Sequence, residues 1–89
     1  MIEKKLTVIN PEGLHMRPAA IFADAMGLFD CKIQIIFKNS TIDAKSLLSI
    51  MAACIKCGSD IIIRFDGSDE EQAAKKACEL IQSGFTSVS

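Results

Sequence analysis

The sequence holds no tryptophan, no tyrosine, two prolines, five glycines and a single histidine. Nothing in that composition is collagen-like or low in complexity, and with 49% apolar and 24% charged residues it is not that of a disordered chain. An excess of either charge is missing too. Ten Lys and Arg against eleven Asp and Glu leave a net charge of −1, without the basic footprint that general nucleic-acid binding needs. No apolar run approaches the ~20 residues that cross a bilayer. The opening Met-Ile-Glu-Lys-Lys leads into a short strand-like run rather than a secretory apolar core. These absences lead us to expect one soluble cytoplasmic domain over residues 1–89, monomeric and without direct membrane insertion.

Four cysteines are present: Cys31, Cys54, Cys57 and Cys78. Without a signal peptide, free thiols in a reducing compartment are the default. Cys54-Ile55-Lys56-Cys57 is a C-x-x-C, but it falls near the end of a helical run rather than at a helix start, just before Gly58. Cys31 and Cys78 are not spaced from it as in a zinc finger or ribbon. The expectation is therefore buried thiols acting as small hydrophobes, with no metal and no cofactor.

Along the chain, apolar periodicity predicts seven elements. A first strand covers 3–9, with Leu6 and Val8 on one face and Thr7 on the other. Asn10-Pro11-Glu12-Gly13 is a turn. A helix follows over 16–26, with Ile21 and Ala25 on one face, Phe22 and Met26 on a neighbouring one, and Gly27 as its stop. A second strand over 32–37 turns inward Ile33, Ile35 and Phe37. Asn39-Ser40 reverses the chain into a third strand at 41–43. Ser46 caps a helix over 47–55 ended by Gly58, and this helix is apolar around most of its circumference. The excess predicts an exposed contact patch. A fourth strand covers 60–65, and Ser68-Asp69-Glu70-Glu71 is a capping box opening a last helix. Its apolar stripe is Ala74, Ala77, Cys78 and Ile81, and Gly84 stops it; a polar tail fills 86–89. The order is βαββαβα: an α+β, two-layer sandwich whose helices each bury one face on the strands.

His15 falls where the first helix begins. Helix N-termini present free N–H groups and the positive end of the dipole, which favour an anion. Arg17 adds a cation with a fork suited to phosphate oxygens, and Pro18 suits the first turn. No second acid or base suggests conventional catalysis. A nucleophilic imidazole beside an anion cradle points to a histidine that carries phosphate; a surface or capping histidine is the bland alternative.

Gly13-Leu14-His15-Met16-Arg17-Pro18-Ala19-Ala20 resembles the active-site signature of the histidine-containing phosphocarrier family, HPr, of the bacterial phosphoenolpyruvate-dependent sugar phosphotransferase system. Ala44-Lys45-Ser46-Leu47-Leu48 resembles that family's second, serine-centred motif at the usual distance. The resemblance spans nearly the whole chain. It implies an open-faced β-sandwich, a four-stranded antiparallel sheet covered on one face by three helices. It implies a carrier rather than a turnover enzyme. His15 would accept a phosphoryl group on Nδ1 from phospho-enzyme I and pass it to IIA domains of sugar permeases. Arg17 would stabilise the phosphate, and Met16, Leu47, Leu48 and Met51 would form the docking patch. Ser46 would be phosphorylated by an HPr kinase/phosphorylase, creating a surface for a catabolite control protein; its plain role is the N-cap. The alternative outputs are an HPr-like regulatory paralogue, which typically loses the histidine, and a nitrogen-branch carrier. Ser49 and Cys54 stand where the family often has glycine, and Asn39-Ser40 replaces a turn that usually contains one. These departures bear on the Ser46 side, not on His15 and Arg17.

Overall fold

Alternation of β-branched and polar residues builds four strands in the computed structural model, which describes residues 1–85; the polar tail read at 86–89 lies outside them. The strands are β1 (Ile2–Thr7), β2 (Lys32–Phe37), β3 (Ser40–Asp43) and β4 (Asp60–Asp66). They form one antiparallel sheet in the order β1-β4-β2-β3. Leu6 faces Ile61, Ile33 faces Phe65, and Ile35 faces both Ile63 and Ile42. All these side chains are buried. A one-residue slip would turn the whole set to solvent, so the buried face fixes the register. On the open face Arg64 donates to Glu3 at 2.6 Å and Thr7 to Asp60 at 2.6 Å, each directly opposite its partner. Such cross-strand pairs contribute roughly 0.2–1 kcal/mol each.

The predicted alternation in β2 is the one observed, and β4 alternates likewise, burying Ile61, Ile63 and Phe65. The hairpin turn differs from the one expected. Phe37 pairs with Ser40, so the two loop residues are Lys38 and Asn39, one position earlier than read. Both have positive φ, 47° and 65°, as a type I′ turn requires. β1 gives way earlier than expected, yet Val8 still exchanges backbone bonds with Ser59 and Gly58 at 2.9 and 2.7 Å. Ile9 lies beyond that ladder and is exposed.

Three helices cover the apolar face: α1 (Met16–Gly27), α2 (Leu47–Ala53) and α3 (Glu70–Gln82). The buried stripe of α1 is Ala19, Phe22, Ala23 and Met26, with Ile21 and Ala25 at its margin. Its end uses no left-handed glycine. Leu28 stays right-handed and its amide bonds back to Ala25, because the exit is held elsewhere. The α3 stripe is centred on Ala73, Ala74, Ala77, Leu80 and Ile81, leaving Cys78 half-buried. Its stop is the predicted Gly84, φ 64°, in a Schellman pattern. Gly84 N–H donates to Ile81 and Phe85 N–H to Leu80, both at 3.1 Å. Phe85 thereby folds back onto Phe22, ring to ring edgewise at 6.4 Å.

The capping box at 68–71 does not form as read. Asp69, not Ser68, is the N-cap of α3, and its side chain caps nothing within the helix. Its carboxylate instead accepts the amides of Asp30 and Cys31 at 2.8 and 2.9 Å, pinning the exit of α1 to the start of α3. Glu70 completes the corner by accepting from Gly67 N–H at 3.1 Å. The tertiary demand of the Asp30–Cys31 amides outweighs the local cap. The Asp30 amide holds the Asp69 carboxyl below the usual range, aided by the Cys31 thiol and amide. Burial, with Asp69 beside it, pushes the Cys31 thiol up to about 11.

The folded chain thus binds the Asp69 proton more weakly than the unfolded chain. Its contribution is complete above the ordinary Asp value, about 4, and is lost as pH falls through the lower folded value. Asp69→Asn should weaken the fold at pH 7 and leave less acid-dependent loss. Urea unfolding at neutral and acid pH checks this; an equal deficit at both would remove the carboxylate from the account.

Candidate functional site

His15 is held by a turn that is closed from both sides. Gly13 N–H donates to Asn10 C=O at 2.9 Å, and the Asn10 side-chain amide donates to Gly13 C=O. Asn10 is buried, and its Oδ1 has no partner among the described residues. Gly13 has φ 68°, and a β-carbon there would meet Ile55 C=O and lie 2.7 Å from Lys56 Cα. Only glycine allows both the left-handed backbone and this approach. Leu14, fully buried, donates its N–H to Ile55 C=O at 2.8 Å. The loop before α1 is therefore fastened to the loop after α2.

That fastening leaves His15 as the N-cap of α1, at φ −79° and ψ −166°. Its carbonyl accepts from Ala19 N–H at 2.9 Å, while its ring makes no cap bond to the helix. The side chain is 43% exposed. Among the described residues, the next two amides, of Met16 and Arg17, have no acceptor, and Pro18 has no N–H to give. Arg17 is exposed and forms no ion pair among the described residues. An anion at the ring would find two free N–H groups, a helix dipole and a free guanidinium.

The structure brings Arg17, Asn10, Pro18 and Phe85 together with His15 along one groove. A second groove that also includes His15 is lined by Met16, Met51, Cys54 and Lys56. Two of the four residues expected in a docking patch, Met16 and Met51, therefore lie beside the histidine. Leu48 is 79% exposed on α2, and Leu47 is half-buried against the core. Neither of these, nor Ser46, lines a groove beside His15. Ser46 caps α2 as predicted, accepting Ser49 N–H at 3.2 Å.

Two expectations need correction here. α2 stops at Ala53 rather than near residue 55, because Cys54 adopts the left-handed conformation (φ 54°, ψ 46°) and supplies the cap itself. Cys54 and Cys57 are also exposed, not buried, and only Cys31 is a fully buried thiol. Among the described residues no group of three His, Cys, Asp or Glu could hold a metal.

One site residue escaped the sequence reading. Glu12 Oε2 lies 3.1 Å from His15 Nε2, so the ring does have an acid beside it. The signal available was the i, i+3 spacing across a turn already recognised at Asn10 to Gly13.

Gly13→Ala should cost about 1–2 kcal/mol from its φ alone and more from the overlap with Lys56, since backbone cannot move aside cheaply. Cys54→Gly should stabilise by about 1 kcal/mol by relieving the left-handed cap. Chemical denaturation of both variants checks the pair; a neutral Gly13→Ala would contradict the close approach.

Residues 2–83 match the family model described as the PTS HPr component phosphorylation site. The chain is 35% identical over 85 residues to the phosphocarrier protein HPr of Treponema pallidum, covering 96% of this chain and 97% of that one. HPr of Xylella fastidiosa is 34% identical over 85 residues, with 96% of each chain covered. Among solved structures, HPr-C-His of Thermoanaerobacter tengcongensis superposes with a TM-score of 0.93 at 35% identity, covering 96% of both chains. Crh of Bacillus subtilis, a catabolite repression protein solved as a swapped dimer, gives 0.75 at 26% identity, covering 93% of this chain and 95% of that one. A match over nearly the full length, by sequence and by fold alike, places this chain in the HPr family of phosphocarrier proteins.

Proposed function

We propose that the chain shuttles phosphoryl groups through His15, accepting one on Nδ1 from phospho-enzyme I and donating it to sugar-specific IIA domains. The observation that carries this reading is an exposed imidazole at a helix N-terminus whose first amides and nearest guanidinium are all unclaimed among the described residues. The lone pair on the ring attacks phosphorus, and the transferred oxygens meet the Met16 and Arg17 amides and the Arg17 side chain. Binding of moderate strength suits a shuttle, because a phosphate held too tightly could not be passed on. The chain is then a carrier in the cytoplasm, acting as a monomer, and not a turnover enzyme.

Docking uses Met16 and Met51 beside the ring, extended by Leu47 and Leu48 on α2. Met16 is 64% and Leu48 79% exposed, an unusual cost for large apolar side chains in a small chain. A small apolar patch around a polar centre suits brief encounters with several partners.

Ser46 supplies a second input. A phosphate there would place about −2 charge beside Leu47 and Leu48, opposing the docking of enzyme I. HPr kinase/phosphorylase would add it, and a catabolite control protein would read it. The likeness to Crh favours this regulatory side, whereas the presence of His15 favours transfer. A nitrogen-branch output would use the same chemistry.

Incubation with enzyme I and phosphoenolpyruvate should give an acid-labile, alkali-stable phosphate that disappears in His15→Ala. Absence of label would end the carrier reading. Arg17→Ala should slow transfer about 10- to 100-fold, the worth of a charge-assisted hydrogen bond. With ATP and a cognate kinase, Ser46 should take an acid-stable phosphate that slows enzyme I. A kinase active on a control substrate but inert here would leave Ser46 as a cap alone.

A further inference from the structure

Beside the reactive ring stands an acid, Glu12, that the transfer step above does not involve. We propose that Glu12 is a positioning residue for phosphoryl transfer, holding the His15 ring in the tautomer that presents Nδ1 to phosphorus. This rests on the carrier reading above. Glu12 Oε2 stands 3.1 Å from Nε2. A neutral imidazole has one donor and one acceptor nitrogen, and a carboxylate can only accept. The proton therefore belongs on Nε2, and the lone pair remains on Nδ1.

The backbone brings the two side chains together. Glu12 lies inside the turn closed by Asn10 and Gly13, and the next residue, Leu14, donates its N–H to Ile55 C=O. His15 follows as the N-cap, its ring making no bond to the helix that would compete with Glu12. Glu12 and His15 are thus presented to each other from one hydrogen-bonded loop. The other charged groups lining the flanking grooves, Arg17 and Lys56, are cations and cannot replace the acceptor.

In the transfer step the Nδ1 lone pair forms the N–P bond. The bond from phosphorus to the donor's leaving atom breaks, and its electron pair stays with the donor. No proton moves, since the one on Nε2 is already in place and stays bonded to Glu12. The ring, substituted on both nitrogens, is then positive, and the carboxylate beside it opposes that charge. Donation to an acceptor runs the same step in reverse and returns the ring to its starting tautomer.

The pair is solvent-exposed, with Glu12 78% and His15 43% accessible. The expected effect is therefore modest, about fivefold at most. Nitrogen-15 NMR of the unphosphorylated protein, at a pH where the ring is neutral, reads the tautomer directly. Glu12→Ala should lower the ratio of Nε2–H to Nδ1–H by up to about fivefold, and slow single-turnover transfer to His15 in proportion. Glu12→Gln, whose carbonyl oxygen can accept the same bond, should restore most of both. Ring shifts in Glu12→Ala identical to the parent would overturn the proposal. So would an altered tautomer with an unchanged transfer rate, or a Gln variant that behaves like Ala. A parent chain that takes no phosphate at all is a different result: it defeats the carrier reading, and it shows in the control before any variant is compared.

Discussion

Between the loop that ends β1 and the loop that ends α2 there is no space for a β-carbon at Gly13. The two backbones meet there, and the Leu14 amide closes onto Ile55 in the same contact. This approach decides where α1 starts, which residue becomes its N-cap, and so which way the histidine faces. It also ties the geometry of the site to α2, the helix that Ser46 caps and whose end Cys54 shapes. A loop carrying a reactive group usually gains reach by being mobile. Here the fastening gives up reach, and the ring gains a fixed relation to the Met16 and Arg17 amides instead.

The parts of the fold written in side-chain period were legible in the sequence. Ile33, Ile35 and Phe37 alternate as a half-buried strand must, and Ile61, Ile63 and Phe65 repeat the pattern opposite them. The Schellman stop at Gly84 and the Ser46 cap were equally plain, because each depends on one residue type in one local place. What could not be read depended on partners distant in the chain. Asp69 gives up a local cap to bind two amides nearly forty residues away. Lys38 and Cys54 take positive φ without being glycine, since the strands of the hairpin and the loop beyond α2 impose it. Propensity alone predicts neither. Glu12 is silent for another reason: an exposed carboxylate in a turn can point many ways, and only the fold aims it at the ring.

The site itself was legible as a motif but not as an arrangement. The sequence supplied His15 and Arg17, and the fold adds that the Arg17 guanidinium has no ion pair among the described residues. An arginine already paired would have to break a bond to receive an anion; Arg17, on the proposed reading, would not. The apolar helix expected to carry an exposed patch divides its residues between core and surface. Within α2 only Ile50 is buried; Leu47, Met51 and Ala53 are half-buried against the core, Leu48 and Ala52 are exposed, and Met51 shares a groove with the ring.

His15 and Glu12 line both grooves. Arg17 and Asn10 belong to the first, Met16 and Met51 to the second. On the proposed reading, phosphate would be held by Arg17 and the free amides, while a partner's apolar side chains would meet Met16 and Met51, so charge attraction and apolar docking would draw on different residues around one ring. Ser46 lines neither groove, so a charge proposed there would bear on contacts at Leu47 and Leu48 rather than on the ring itself.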